Sequence, residues 1–346
     1  MTAARAPRAA IALIAAACGG GQKAAPPAAP DPPPASVAER MLAMLPDGAQ
    51  VVVEIDLARL RANAVIGAVV ARALADDPAA APGASAAAAP GSRAWLRSLV
   101  PRTAGPAGAP DDTGSLLGAA DQVVLAAYGV GTADAALVGV LAAPHDIAGV
   151  SRLVDGYYAF GPPAWVEQIE QRVALASTGE AKFAIHAAPE LLALRARAMP
   201  AGAPGASLRV TARLSFDARV AFARLTGLDA APAQVSAWGD VADDLALVID
   251  CDANDPGSKP SDAPRRLAAT LRGMLAASAE IPAVRLLGLP ASLAGARLAA
   301  HGSWVRTIIA IGPAHLRRVV DRAAGLFGTP APAVSPSTPP RGDHSS

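Results

Sequence analysis

The clearest chemistry in this sequence belongs to a cysteine close to its start. Arg5 and Arg8 precede a short apolar run, Ala9–Ala17, which ends at Cys18. A thiol can form a thioether with diacylglycerol, and cleavage before the cysteine frees an amino group for a further acyl chain such as palmitate. A basic segment, an apolar segment and small residues before a cysteine are typical of a bacterial lipoprotein signal. The pattern predicts a signal peptide over residues 1–18, with Cys18 as the lipidated residue.

The length of the apolar run and the segment after it support this prediction. A membrane-spanning helix needs about 20 apolar residues, whereas this run has about ten, as signal peptides do. Residues 19–35 are rich in Gly, Pro and Ala and predict a flexible tether. Ala15 stands three residues before the cysteine, where lipoprotein signals usually carry Leu. The alternative is therefore an ordinary secretory signal that is cleaved near Ala17.

A second polar stretch has the beginning of a calcium-binding loop. Asp250-x-Asp252-x-Asn254 matches the first ligands of an EF-hand, but the loop then requires Gly at its sixth position and Glu at its twelfth. This chain has Asp255 and Ser261 there. We interpret the stretch as polar residues that end a strand and form a turn. If the chain binds a cation, this is where the sequence would place it.

No other spacing in the sequence defines a reaction centre. The five histidines form neither H-x-x-x-H nor H-E-x-x-H; they are His145, His186, His301, His315 and His344. There is no G-x-S-x-G nucleophile motif and no Walker loop, and Gly129-Val130-Gly131 is interpreted as a turn. The sequence therefore predicts no catalytic residue, no cofactor-binding residue and no metal ligand. A site assembled from distant residues stays open, so the sequence does not decide whether the protein is an enzyme.

Composition limits the partners and the kind of core. Lys and Arg total 30 against 29 for Asp and Glu, so there is no basic excess for nucleic acid. Aromatic residues make up only 3%, so the core must be built from Val, Leu, Ile and Ala. If Cys18 is lipidated, Cys251 has no partner for an intramolecular disulfide. Because Cys251 ends an apolar strand pattern, a buried, inert thiol is predicted.

Hydrophobic periodicity predicts strands that alternate with helices. The predicted strands are Gln50–Asp56, Gln122–Tyr128, Ala136–Ala142, Arg172–Ser177, Lys182–His186, Ser207–Ser215, Gln234–Trp238, Asp244–Cys251, Arg297–Ala300 and Trp304–Ile311. The predicted helices are Ser36–Leu45, Leu57–Ala75, Trp95–Val100, His145–Val154, Pro189–Met199, Asp217–Leu225, Ser261–Ala279 and His315–Leu326. Ser36-x-x-Glu39 has the form of a capping box at the start of the first helix.

This order of elements predicts an α+β fold in which helices cover antiparallel sheets. A weak repeat of strand, helix, hairpin and helix suggests two related halves, residues 36–200 and 201–328, followed by a disordered tail at 329–346. The alternative is one continuous curved sheet with helices on one face.

The run Leu45–Arg61 (LPDGAQVVVEIDLARLR) supports a resemblance. It resembles the opening of a group of uncharacterised exported bacterial proteins, which start with a proline–acid turn, a valine-rich strand ending in Asp and a Leu-Ala-Arg-Leu-like helix start. Many of them are predicted lipoproteins from GC-rich, myxobacterial-type genomes. The resemblance implies export and anchoring, and it supplies no activity and no functional residues.

Together these patterns predict a lipoprotein of the cell envelope whose folded part is a non-catalytic binding or structural module. Gly19 follows Cys18 where Asp would favour inner-membrane retention, so the outer membrane facing the periplasm is expected. The expected partners are the membrane, through the lipid, and an envelope protein, peptidoglycan or an apolar ligand. Two alternatives stay open: a hydrolase with a dispersed site and a periplasmic carrier of an apolar ligand.

The anchor predicts a specific labelling result. Cells that express the full chain should incorporate labelled palmitate into it, and globomycin should make the lipidated precursor accumulate. Cys18→Ala should abolish the label and release the protein from the membrane fraction, whereas Cys251→Ala should change neither. Processing that is unaffected by globomycin or by Cys18→Ala would contradict the lipidation of Cys18.

Overall fold

The apolar runs of this chain form strands that join in one antiparallel sheet. A computed structural model describes residues 36–74, 113–154, 156–177, 188–203, 205–226, 231–253 and 262–326. These residues all belong to one compact unit, Ala35–Ser346. Within them the strand order is β4-β5-β3-β2-β1-β6-β7-β8-β10-β9, and every neighbouring pair is antiparallel. The strands are β1 (Val51–Asp56), β2 (Gln122–Tyr128), β3 (Ala136–Ala142), β4 (Ser151–Arg152), β5 (Tyr157–Phe160), β6 (Leu208–Arg213), β7 (Gln234–Val241), β8 (Leu245–Asp252), β9 (Arg297–His301) and β10 (Trp304–Ile311).

Helices connect the strands and cover the sheet. In the described residues they are α1 (Val37–Met44), α2 (Leu57–Ala62), α3 (Gly67–Leu74), α4 (Thr113–Ala119), α5 (Pro163–Ser177), α6 (Pro189–Arg197), α7 (Phe216–Thr226), α8 (Ala263–Ala279), α9 (Pro282–Leu287), α10 (Pro290–Ala294) and α11 (Pro313–Leu326). The predicted capping box at α1 is confirmed: Ser36 Oγ accepts from the Glu39 N–H, and Glu39 Oε2 accepts from the Ser36 N–H.

Both faces of the sheet are covered. Along β2, Val124 packs on one face with α1, α5 and α6, whereas Val123 packs on the other face with α2, α3 and α4. We call the first of these the α6 face. At the other end of the sheet, Cys251 and Val305 pack against α8, on the face opposite α6. This corrects the expectation of helices on one face, because strands such as β2 and β3 are buried on both sides.

The α+β class is confirmed, with one sheet where several were expected. The strands of both predicted halves belong to it, because β1 of the first half pairs with β6 of the second, Val53 lying opposite Val210. The continuous sheet of the alternative prediction is therefore present, although its helices are not confined to one face. The relation between the halves by a repeat stays a prediction.

Three element predictions were wrong for identifiable reasons. Arg172–Ser177 continues helix α5, because Trp165, Ile169 and Val173 recur at helical spacing over a longer window than the short alternation that predicted a strand. His145–Val154 is not a helix, since Gly149 has a φ of 80° and a turn leads into β4.

The long helix predicted over Leu57–Ala75 is divided at Asn63. This residue ends α2 in an extended conformation, and its Oδ1 accepts from the N–H groups of Val65 and Ile66. The predicted helix Trp95–Val100 and the predicted strand Lys182–His186 lie outside the described residues.

The packing of α1 can be tested with two leucines in helices. Leu42 is 3% exposed in the core beneath α1, whereas Leu286 of α9 is 60% exposed. Leu42→Ala should lower the free energy of unfolding by about 2–5 kcal/mol, because it removes buried methyl groups and leaves a cavity. Leu286→Ala should change it by less than about 0.5 kcal/mol. Urea unfolding followed by circular dichroism measures both, and equal losses would contradict this core.

Candidate functional site

Glu54 and Asp250 are buried carboxylates on the α6 face of the sheet. Glu54 of β1 is 6% exposed and Asp250 of β8 is 2% exposed. Asp250 lies in a polar row across the sheet, with Ser236 opposite it on β7 and Arg306 opposite it on β10. A buried carboxylate is costly unless it is paired and hydrogen-bonded, so each must have a partner.

Helix α6 supplies the partner of Glu54. Arg195 donates from Nε to Glu54 Oε1 at 2.7 Å and from Nη2 to Oε2 at 2.8 Å, which occupies both carboxylate oxygens. Its Nη1 also donates to Glu39 Oε1 of α1 at 3.2 Å. Burial disfavours the charge on Arg195, but the bonds and charges of Glu54 and Glu39 outweigh it and raise the pKa of Arg195 above its ordinary value. Arg195 thus joins α1, β1 and α6.

Glu39 is held in its charged form. The Ser36 N–H bonds its carboxylate and lowers its pKa, burial opposes this, and Arg195 adds to the lowering. The capping box therefore orients the same carboxylate that Arg195 binds. The capping box of Ser36 and Glu39, which in the sequence indicates the start of a helix, also forms one wall of the site.

The end of α6 is fixed to the second buried carboxylate. Arg306 donates from Nε and Nη2 to the two oxygens of Asp250, at 2.8 and 2.7 Å. Its Nη2 also reaches the Arg197 carbonyl at 3.1 Å, and Arg197 stacks on the Trp304 ring at 3.7 Å from the centroid. The Ala198 N–H donates to Ser236 Oγ. Polar contacts therefore determine where α6 ends on the sheet.

A groove of about 310 Å³ opens between α1, the end of α6 and the strands β1, β2 and β6. This volume lies at the lower end of the range for small-molecule sites. Met199, Ala203 and Ala206 give it an apolar wall. Its charged and amide side chains are Glu39, Glu54, Asp56, Gln122, Arg195 and Arg209.

Arg209 differs from the other arginines of this site. It lies opposite Glu54 in the β1–β6 register, yet both oxygens of Glu54 are taken by Arg195. Its hydrogen-bond contact within the described residues is Nη2 to Met199 Sδ at 3.5 Å, and none of them places a carboxylate in ion-pair range. Burial is the largest cause that lowers the pKa of Arg209, and the positive charge of Arg195 adds to it.

Gln122 lies across the groove from Arg209, on β2, which pairs with the side of β1 opposite β6. Gln122 Nε2 lies 3.4 Å from Asp56 Oδ2, a long contact that nevertheless directs the amide nitrogen toward the carboxylate. Asp56 Oδ1 accepts from the Arg59 N–H at the start of α2. Gln122 Oε1 is buried and accepts no hydrogen bond from the described part of the chain.

The residues that the sequence singled out do not converge here. Cys18 lies outside the described residues, as does Asn254 of the calcium-like stretch. Both carboxylate oxygens of Asp250, the first residue of that stretch, accept hydrogen bonds from Arg306. In the described ranges no group of three His, Cys, Asp or Glu residues could hold a metal.

The contacts and burial of the described histidines and of Cys251 indicate structural roles. His315 Nε2 lies 2.8 Å from the Gly288 carbonyl and its Nδ1 lies 3.1 Å from Ser292 Oγ, so it ties α11 to the residues around α10. His145 and His301 are exposed, and His186 and His344 lie outside the described residues. Cys251 is buried, as predicted, and burial raises its pKa to about 12.

Comparisons with known proteins add the following. No protein-family model matches the chain, and no curated protein matches it. Among solved structures it is similar to TP0453 in crystal form I, with a TM-score of 0.40 and 8% identity over 83% of this chain and 98% of that chain. Crystal form III of TP0453 gives a TM-score of 0.38 and 8% identity over 82% and 98%. A likeness at this level carries no argument about the site.

Sequence reasoning missed Glu54, Arg195 and Arg209. One signal was present: Glu54 interrupts the apolar run of β1, Val51-Val52-Val53-Glu54-Ile55. The arginine that neutralises it is 141 positions away in sequence. Among the helices that the structure describes, none combines the length and the hydropathy of a membrane-spanning segment.

The pairing of Glu54 with Arg195 has a testable energetic consequence. Arg195→Met should lower the free energy of unfolding by about 3–5 kcal/mol, because Glu54 is left buried without a partner. Adding Glu54→Gln should recover part of the loss, since it removes the uncompensated charge. Arg285→Met, whose pair with Glu280 is exposed, should have little effect. Chemical unfolding of the unaltered protein, Arg195→Met, Glu54→Gln and the double variant gives the coupling, with Arg285→Met as a fifth protein for control. Additive losses would argue against a coupled buried pair.

Proposed function

We propose that this protein is a tethered lipoprotein of the cell envelope whose folded unit binds a small polar ligand in the groove between α1 and α6. Lipid on Cys18 would hold it in the outer membrane facing the periplasm, with residues 19–35 as the tether. The observation that carries the binding role is the groove itself. It gathers six charged or amide side chains beside an apolar wall, at a volume suited to a small molecule.

The geometry favours recognition over proton transfer. Glu54 has both oxygens bonded to Arg195, and Glu39 is kept charged by Ser36 and Arg195. A general base must be able to take up a proton near the working pH, and carboxylates paired in this way are poor bases. This arrangement supports a binding site more than the hydrolase alternative.

The charge of the lining also bears on the carrier alternative. A site for acyl chains is expected to be deep and apolar, since each buried CH₂ contributes about 0.8 kcal/mol. This groove instead presents Arg195, Arg209 and three carboxylates beside its apolar wall. The ligand that suits it is polar and small.

A groove-blocking variant tests this proposal. Ala38 lines the groove at the second position of α1, and Ala291 occupies the second position of α10 and is exposed. The full protein, purified in detergent, should show a raised Tm with at least one member of a library of amino acids, dipeptides, sugars, organic acids and fatty acids. Ala38→Trp should abolish that shift, because its indole fills the groove, and Ala291→Trp should retain it.

Each outcome of this screen is informative. Shifts with polar compounds that Ala38→Trp removes support the proposal. Shifts confined to fatty acids would favour a carrier, and the absence of any shift would overturn binding in this groove. The Tm of each variant without ligand shows whether the substitution itself disturbs the fold.

A further inference from the structure

Two groups in the groove lack the partners that their chemistry requires. The Arg209 guanidinium carries five N–H donors, and within the described residues only the Met199 sulfur is in hydrogen-bond range. Gln122 Oε1 is a buried acceptor that receives no donor from the same residues. Solvent reaches the Arg209 guanidinium at this contact, whereas Gln122 Oε1 is a buried acceptor. A ligand that carries both a carboxylate and a donor group supplies each with the partner it lacks.

Arg209 and Gln122 Oε1 require different groups on a ligand: Arg209 an anionic acceptor and Gln122 Oε1 a hydrogen-bond donor. Arg209 is suited to a carboxylate, which its planar guanidinium can bind through two parallel bonds. Gln122 Oε1 requires an N–H or O–H donor, because an amide oxygen is an acceptor and the amide nitrogen already lies toward Asp56. The Asp56 carboxylate beside it favours a donor that carries positive charge.

The sheet fixes how far apart these groups lie. Gln122 is opposite Asp56 on β2, and Arg209 is opposite Glu54 on β6, so two strand spacings and a two-residue offset separate them. With strands about 4.8 Å apart and about 3.4 Å per residue, the two Cα atoms are about 12 Å apart. Both side chains line the groove and are long enough to approach one small molecule from two sides.

We infer that the groove binds a small zwitterion of the amino-acid class, a free α-amino acid or a dipeptide, with its carboxylate on Arg209 and its ammonium group on Gln122 Oε1 and Asp56. This inference rests on the proposed binding function and adds the class of ligand. The formal charges agree with it. Of the three carboxylates in the lining, Glu54 and Glu39 are bonded to Arg195, and an ammonium group would face the third, Asp56, whose charge also acts on Arg59.

Arg195 acts in this site as a positioning residue. By occupying both oxygens of Glu54, it prevents the cross-strand pair that Glu54 and Arg209 would otherwise form. Arg209 is thereby kept available for a carboxylate from outside. Burial and the positive charge of Arg195 lower the pKa of Arg209, while the charges of Glu54 and Glu39 oppose this.

Blocked ligands test the two ends separately on the unaltered protein. Isothermal titration of the full protein in detergent uses L-alanine, L-Ala-L-Ala, the C-terminal amide of the dipeptide and its N-acetyl form. The free dipeptide or amino acid should bind, and each blocked dipeptide should bind about 10- to 100-fold more weakly, as expected for the loss of a bond between charged groups. Equal affinity for free and blocked forms would overturn the inference.

Variants then assign the ends to residues. Arg209→Met should remove the preference for a free carboxylate, and Gln122→Leu should weaken the preference for a free ammonium group. Arg317→Met, at an exposed position of α11, should retain both preferences. Arg209→Met should have a Tm without ligand at or above that of the unaltered protein, because it removes a charge without a carboxylate partner. If it fails to fold, Arg209→Gln and the blocked ligands still decide the result.

The outcomes separate this inference from the proposed function. If neither amino acids nor dipeptides bind, while another polar compound does and Ala38→Trp prevents it, the class of ligand is wrong and the binding function stands. If no compound of the library binds, both fail. Unchanged carboxylate preference in a folded Arg209→Met protein overturns the assignment of that residue.

Discussion

The burial of a carboxylate in the middle of the sheet is the constraint on which the site depends. Glu54 lies on β1, with four strands on one side and five on the other, and it is 6% exposed. Such a charge is tolerated only with a partner that saturates it, and Arg195 does so through two parallel bonds. The position of α6 on the sheet follows from this pairing.

The pair of Glu54 and Arg195 holds α6 against the sheet and also contributes to the groove beside it. Helix α6 is fixed by Glu54 at one point and by Asp250, through Arg306 and Arg197, at another, so charged contacts act together with its partly buried leucines to set its course. The groove is the space that remains between this helix and α1. Because Arg195 occupies Glu54, Arg209 on the neighbouring strand has no ion-pair partner among the described residues.

Local patterns predicted most of the strands because their signals are local. Ala136–Ala142 and Trp304–Ile311 were predicted with the observed bounds, since turn residues flank runs of branched and small apolar side chains. Short windows failed where a longer pattern prevailed, as in α5. The site could not be predicted in this way. Its pairs join residues that strand order brings together, and one sequence contains no record of which arginine meets Glu54.

The order of the strands has a kinetic consequence. Strand β1 is the first along the described chain, yet it occupies the centre of the sheet, and its partner β6 follows some 150 residues later. Contacts of such long sequence separation slow folding, because the intervening chain must be ordered before they form. During synthesis β1 therefore emerges long before its second neighbour and before Arg195. Until both arrive, its valine-rich edge and the charge of Glu54 are exposed together, and that charge opposes premature association of the edge with other chains.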